Sequence, residues 1–159
     1  MNAPTQSAEG RLLHLGIELP PPPQPLGAYV ETVETGNLLF LSGMLPIVGG
    51  VPKFIGRVGA ELDIEQGSAA AYAACLNALA TVKAHLGSLD RVLRVVRLGV
   101  SIATTGDFIE HPKLADAASM LLESVFGPEK TSTRLITGVL TLPLGLPVAL
   151  ELIFEIKPQ

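Results

Sequence analysis

From Asp63 to Gly87 the chain carries a helix signature with both ends written into it. Asp63 is a capping residue and Gln66 follows at capping-box spacing. Tyr72, Cys75, Leu76, Leu79, Val82 and Leu86 recur every three to four residues, and Gly87 stops the run. Such a helix needs an apolar surface to lie on, and the flanking segments supply one as strands. Residues 28–34 (AYVETVE) and 38–42 (LLFLS) read as strands around the turn Thr35-Gly36-Asn37. Gly49-Gly50 marks a further turn, and a short strand is expected around Lys53 to Val58. Residues 92–103 (VLRVVRLGVSIA) predict a long strand. A second helix is expected from Phe108 or Pro112 to Phe126, with Asp107 as its cap and Gly127-Pro128 as its stop. Two last strands are expected at Arg134 to Leu142 and Pro147 to Ile156. In the latter, Val148, Leu150, Leu152, Phe154 and Ile156 fall on one face, and Ala149, Glu151, Ile153 and Glu155 on the other.

The order β-β-(β)-α-β-α-β-β predicts an α+β, two-layer sandwich: a mixed sheet with two helices on one face. The 159 residues fit one domain, 1–159. Residues 1–25 form its N-terminal helix (Ala8 to Leu15, ended by Gly16) and a strap rich in proline, Pro20 to Pro23 and Pro25. Hydrophobic residues make up 48% of the chain and charged residues only 16%, against about 25% charged in an average domain. Several strands are apolar on both faces. The sheet face without helices is therefore where partner subunits are expected.

The same arithmetic excludes several functions. A net charge of −4 and a pI near 5.3 oppose a nucleic-acid surface. The absence of Trp, with two Tyr and five Phe, leaves few platforms for base stacking. A single cysteine, Cys75, is read as a packed residue of the helix stripe and fits a reducing compartment. No secretory signal is read at the N-terminus. The longest uncharged stretch, Leu135 to Leu150, is 16 residues long and contains Pro143 and Pro147, too short and too broken to span a membrane. A cytoplasmic protein without membrane partners is expected. His14, His85 and His111 lack metal-ligand spacing, and no phosphate or dinucleotide motif is present, so neither a metal nor a cofactor is expected.

Read from the residues, the candidates for chemistry are Tyr29, Ser42, Arg134 and Glu151. Arg134 opens the uncharged run, on a strand expected near the sheet face without helices. A guanidinium there needs a partner. Its fork suits a ligand carboxylate, and an internal ion pair with Glu151 or Glu31 is the equal alternative.

Four segments in order, Leu26-Gly27-Ala28-Tyr29, Gly36 to Gly43 (GNLLFLSG), Arg134, and Leu142-Pro143-Leu144-Gly145, resemble the Rid family. This is the reactive intermediate deaminase, YjgF or endoribonuclease L-PSP family, of chorismate-mutase-like fold. The stretches ELPPPPQPLGAYV, GRVGAEL and RVVRLGVSIATTGDF resemble its longer subgroup, and the likeness spans about residues 10–157. It implies a homotrimer with a central sheet barrel and ligand clefts between subunits. It implies that Arg134 grips a substrate carboxylate, that Tyr29 borders the cleft, and that Ser42 and Gly43 line it. The family's reaction is hydrolysis of 2-imino acids and their enamine tautomers to 2-keto acids and ammonia.

Three positions depart from the pattern: Met44 where Gln is usual, Ser132-Thr133 where His-Ala is usual, and Ala149 where the carboxylate handling the catalytic water is usual. A positioned acid/base group is typically worth 10²–10⁴-fold, and Ala149 supplies none. Glu151, two residues on and on the same strand face, is the substitute candidate. The expectation is a trimeric protein binding a small carboxylate metabolite, with weak or altered deaminase (hydrolase) activity. The alternative is a non-catalytic module that binds or senses such a metabolite. An endoribonuclease is the third reading, and the acidic sequence offers it no support.

Overall fold

The structure is a computed structural model that describes residues 6–159; the first five residues of the expected domain lie outside it. Helix α1 spans Ala8–Leu15, with Ser7 accepting from the Gly10 amide and Gly16 closing the end in the left-handed region. Helix α2 spans Ile64–Leu86. Asp63 accepts from the Gln66 amide while the Gln66 side chain accepts from the Asp63 amide, so the capping box closes in both directions. Helix α3 spans His111–Phe126.

Five strands form the main sheet: β1 (Thr32–Thr35), β2 (Leu38–Leu41), β5 (Val92–Ala103), β6 (Thr133–Val139) and β7 (Val148–Ile156). Their order is β1-β2-β7-β5-β6, antiparallel except for the β5–β6 pair. A small separate ribbon pairs β3 (Ile47–Val48) with β4 (Val51–Pro52). The sheet is therefore mixed, as expected, and β1 and β6 are its edges.

The two-residue period of β7 appears directly in its burial. Val148, Leu150, Leu152, Phe154 and Ile156 are buried, and the residues between them are not. The buried row joins Ala70, Ala74, Leu79 and Val82 of α2 and Leu114, Ala118 and Leu122 of α3 in one core. The helices touch closely: a Cβ on Gly67 would meet Leu114 Cδ1 at 2.5 Å. Cys75 lies inside this core, its thiol donating to the Ala118 carbonyl at 3.8 Å and pushed by burial up to about 12. That agrees with its reading as a packed residue. No described helix is long and apolar enough to cross a membrane.

Four expectations need correction. The strand expected at 28–34 begins only at Thr32. Upstream, the Leu26 amide donates to the Tyr29 hydroxyl at 2.9 Å and the Tyr29 amide to the Gly27 carbonyl, so this stretch curls locally instead of pairing. The strand expected around Lys53 to Val58 is replaced by the earlier β3–β4 ribbon. Gly49 and Gly50, at φ +61° and +81°, make its tight turn, and Pro52 lacks the amide to extend pairing. Asp107 does not cap α3. The helix starts later, at His111, with Pro112 in its first turn, where a missing amide costs nothing. Finally, β6 stops at Val139, and Pro143–Gly145 form a turn with Leu144 at φ +61° before β7 begins.

Candidate functional site

The strand pleat decides which candidates can meet. Arg134 on β6 lies opposite Leu98 on β5, which lies opposite Leu152 on β7. Leu98 and Leu152 are buried under the helices, so Arg134 belongs to the helix-side face. Its Nη1 donates to Asp116 Oδ1 at 2.7 Å and to Ser119 Oγ at 3.1 Å, both on α3. This corrects the expected position on the open face, and neither Glu151 nor Glu31 is its partner. A cavity of about 190 Å³ opens beside it, lined by Ser119, Leu122, Lys130, Thr131, Ser132 and Arg134. Asp116 takes only one corner of the guanidinium. The fork has five N–H donors, so others remain for a carboxylate.

Glu151 takes the opposite face. It lies across from Gly99, and Arg97 Nε donates to its Oε1 at 3.3 Å. Ala149 lies across from Ser101, which in turn faces Thr137, with 3.5 Å between the two hydroxyls. The position expected to lack a carboxylate thus sits in a row with small polar side chains.

Tyr29, Gly43 and Met44 do come together, around a different cavity. It encloses about 360 Å³ between the strap Pro20 to Pro23, the chain after β2, and α2. Met44 is held there by two hydrogen bonds with Leu150 of β7: its amide donates at 2.7 Å and its carbonyl accepts at 2.9 Å. Ser42 is a clasp rather than a wall. Its hydroxyl donates to the Val30 carbonyl at 2.6 Å and its amide to the Glu31 carbonyl at 2.9 Å, fixing the stretch that carries Tyr29. Asn77, almost fully buried on α2, donates to the Leu45 and Ile47 carbonyls at 2.8 and 2.9 Å and anchors the opposite wall.

Sequence reasoning missed two members of this cavity, Asn77 and the strap itself, and treated Glu31 only as a possible ion-pair partner of Arg134. Glu31 is among the residues that line the cavity, and partial burial raises its carboxyl above the ordinary range. The signal that could have found Asn77 was a polar residue inside the apolar face of a strong helix.

Arg134 and the Tyr29 cavity lie toward opposite edges of the sheet. The step from β2 across β7 and β5 to β6 is three strand spacings, about 14 Å. Among the described residues, no three His, Cys, Asp or Glu side chains group to hold a metal.

Comparison with known proteins agrees with this architecture. Residues 9–156 match the family described as "YjgF/chorismate mutase-like, putative endoribonuclease". Protein TCP17 of Trypanosoma cruzi is 40% identical over 149 residues, 92% of each chain. The crystal structure of a Shewanella oneidensis protein described as a putative endoribonuclease superposes with a TM-score of 0.90 at 34% identity, covering 94% of this chain and 99% of that one. RidA from an Antarctic Psychrobacter superposes with a TM-score of 0.61 at 25% identity, covering 85% of this chain and 94% of its own. With the profile spanning nearly the whole chain and the mixed sheet and paired helices in place, this protein belongs to the YjgF/Rid family of chorismate-mutase-like fold.

Proposed function

We propose that the protein is a homotrimer that binds a small carboxylate metabolite in clefts between subunits, with Arg134 gripping the carboxylate. The observation that carries the reading is the split site. A cationic corner at Arg134 and Lys130 lies toward one edge of the sheet, and the Tyr29–Met44 cavity toward the other. One copy cannot close the two parts on a single small molecule; neighbouring copies can. The open face supports the same reading, since Phe40 and Leu135 leave apolar surface uncovered on either side of it.

Two observations favour binding over efficient imine hydrolysis. Ala149 brings no carboxylate, and Glu151 is engaged with Arg97 on the face away from Arg134. Metabolite binding or sensing is therefore favoured over efficient deaminase chemistry.

Thermal shift with small 2-keto acids such as pyruvate and 2-oxobutyrate tests the carboxylate grip. A ligand that binds only the native state stabilises it by RT ln(1 + [L]/Kd). The acids should raise Tm in wild type, less in Arg134→Lys because the bidentate fork is lost, and not in Arg134→Ala. Equal shifts in wild type and Arg134→Ala would make Arg134 a structural residue tied to Asp116.

A further inference from the structure

We propose that the proline strap is a docking ligand for a second protein, a domain whose groove is walled by Trp and Tyr rings and carries a cation at one rim. The proposal goes beyond the carboxylate reading and does not rest on it.

The exposure of the strap has a period of three. Pro20 and Pro23 are half-buried, whereas Pro21, Pro22, Gln24 and Pro25 are exposed. Residues 17–25 belong to no helix or strand. Proline holds φ near the value of the polyproline II helix, which turns once every three residues. One edge of the strap therefore lies on the protein. The other two, Pro21 with Gln24 and Pro22 with Pro25, face outward. Pro22 and Pro25 have the PxxP spacing that aromatic-lined grooves receive, about 9 Å along the helix.

The backbone is prepared for the same use. Among the described residues, no backbone group of residues 18–25 takes part in a hydrogen bond. Their carbonyls are free to accept from the indole N–H or phenol O–H of such a groove. Both ends of the strap are fixed. The Ile17 amide donates to the Leu12 carbonyl at 3.0 Å, Ile17 and Leu19 pack on the core, and the Leu26 amide donates to the Tyr29 hydroxyl at 2.9 Å. A segment already held extended loses little conformational freedom on docking.

Charge gives the direction. From Leu19 to Val30 the chain has no charged residue, which suits the depleted charge of an interface core. Glu18 stands exposed at one end, and Lys83, which lines the same groove, is bound instead to Glu9 at 2.8 Å. A cation on the rim of the partner would meet Glu18 and fix the direction in which the strap is read.

The test uses the full chain against a panel of isolated SH3 and WW domains, read by the fluorescence of the groove tryptophan. At least one domain should bind wild type with micromolar affinity. Pro22→Ala and Pro25→Ala each remove two buried methylenes and should each weaken that binding roughly tenfold. Glu18→Lys should weaken it at low salt. A peptide of residues 17–27 should compete, but less tightly than the folded chain, because it has to be ordered first.

A panel in which no domain binds wild type would overturn the proposal, and that result needs no variant to fold. So would a domain that binds wild type, Pro22→Ala and Pro25→Ala alike. A Pro22→Ala/Pro25→Ala double variant whose light-scattering mass differs from wild type would assign the outward edges to a second copy of this chain, and would overturn it as well.

Discussion

Arg134 and Glu151 stand on opposite faces of the same sheet, separated by one step of the pleat: Arg134 lies across from Leu98, and Glu151 across from the next residue, Gly99. Within one copy of the chain they cannot act on one ligand from the same side. Any chemistry that uses both residues on one ligand has to be assembled between copies.

The first consequence concerns assembly. Light scattering at micromolar concentration should give about 50 kDa, three times the 16.6 kDa chain. Leu135 is a half-exposed side chain beside Gly99 on the open face. If the open face is the proposed subunit interface, Leu135→Arg should place a charge in it and shift the protein towards monomer. A wild-type monomer would remove the shared clefts altogether.

Restoring the carboxylate tests the chemistry. Wild type should hydrolyse 2-iminopropionate slowly, and Ala149→Glu should raise the rate towards 10²-fold, the lower end for a positioned acid/base group. Ser101 and Thr137, both small, share the row with Ala149. The lower end is expected because Met44 and Ser132-Thr133 also depart from the family pattern, and a misplacement of about 1 Å can itself cost 10²-fold. Strong wild-type activity lost in Glu151→Gln would show instead that Glu151 has taken over the role.

Glu31 makes a pH-dependent contribution to stability whose sign follows from burial. Its folded proton affinity is raised above the unfolded value. The native state is therefore favoured while the group is protonated, and that advantage is lost as pH rises from the ordinary glutamate range through the raised value. Glu31→Gln mimics the protonated form throughout. Chemical denaturation should show the variant gaining on wild type between pH 4 and pH 7. A variant that loses ground over this interval would mean that Glu31 has an ionic partner in the assembled protein.

No specific RNA cleavage is expected near physiological salt, even though the matched family is described in terms of an endoribonuclease. Phosphate affinity depends on clustered Lys and Arg. Here Arg57, Lys83, Arg97 and Arg134 are each paired with a carboxylate at a separate place on the surface. Nuclease-free protein should leave labelled RNA intact, and cleavage abolished by Arg134→Ala would overturn this expectation.

The elements legible in the sequence are those whose information is local. The two ends of α2 needed only Asp63, Gln66 and Gly87, and α1 ended where Gly16 allowed a left-handed residue. The alternation of β7 separated its buried row from Ala149 and Glu151 before any partner strand was known. The Rid-like motifs located Tyr29, Gly43 and Met44, which do share a cavity. Contacts between distant segments settled the rest. Whether Arg134 faced the open side depended on its register with Leu98 and on Asp116, a partner in a separate helix. Glu31 joined the cavity lining because the strap, Met44 and Asn77 meet there from three parts of the chain. Caps and periodicities act within a few residues, where backbone geometry alone sets which groups meet. The direction of a charged side chain and the polarity around it are set by strand register and burial, and these exist only once the sheet has formed and the helices have packed on it.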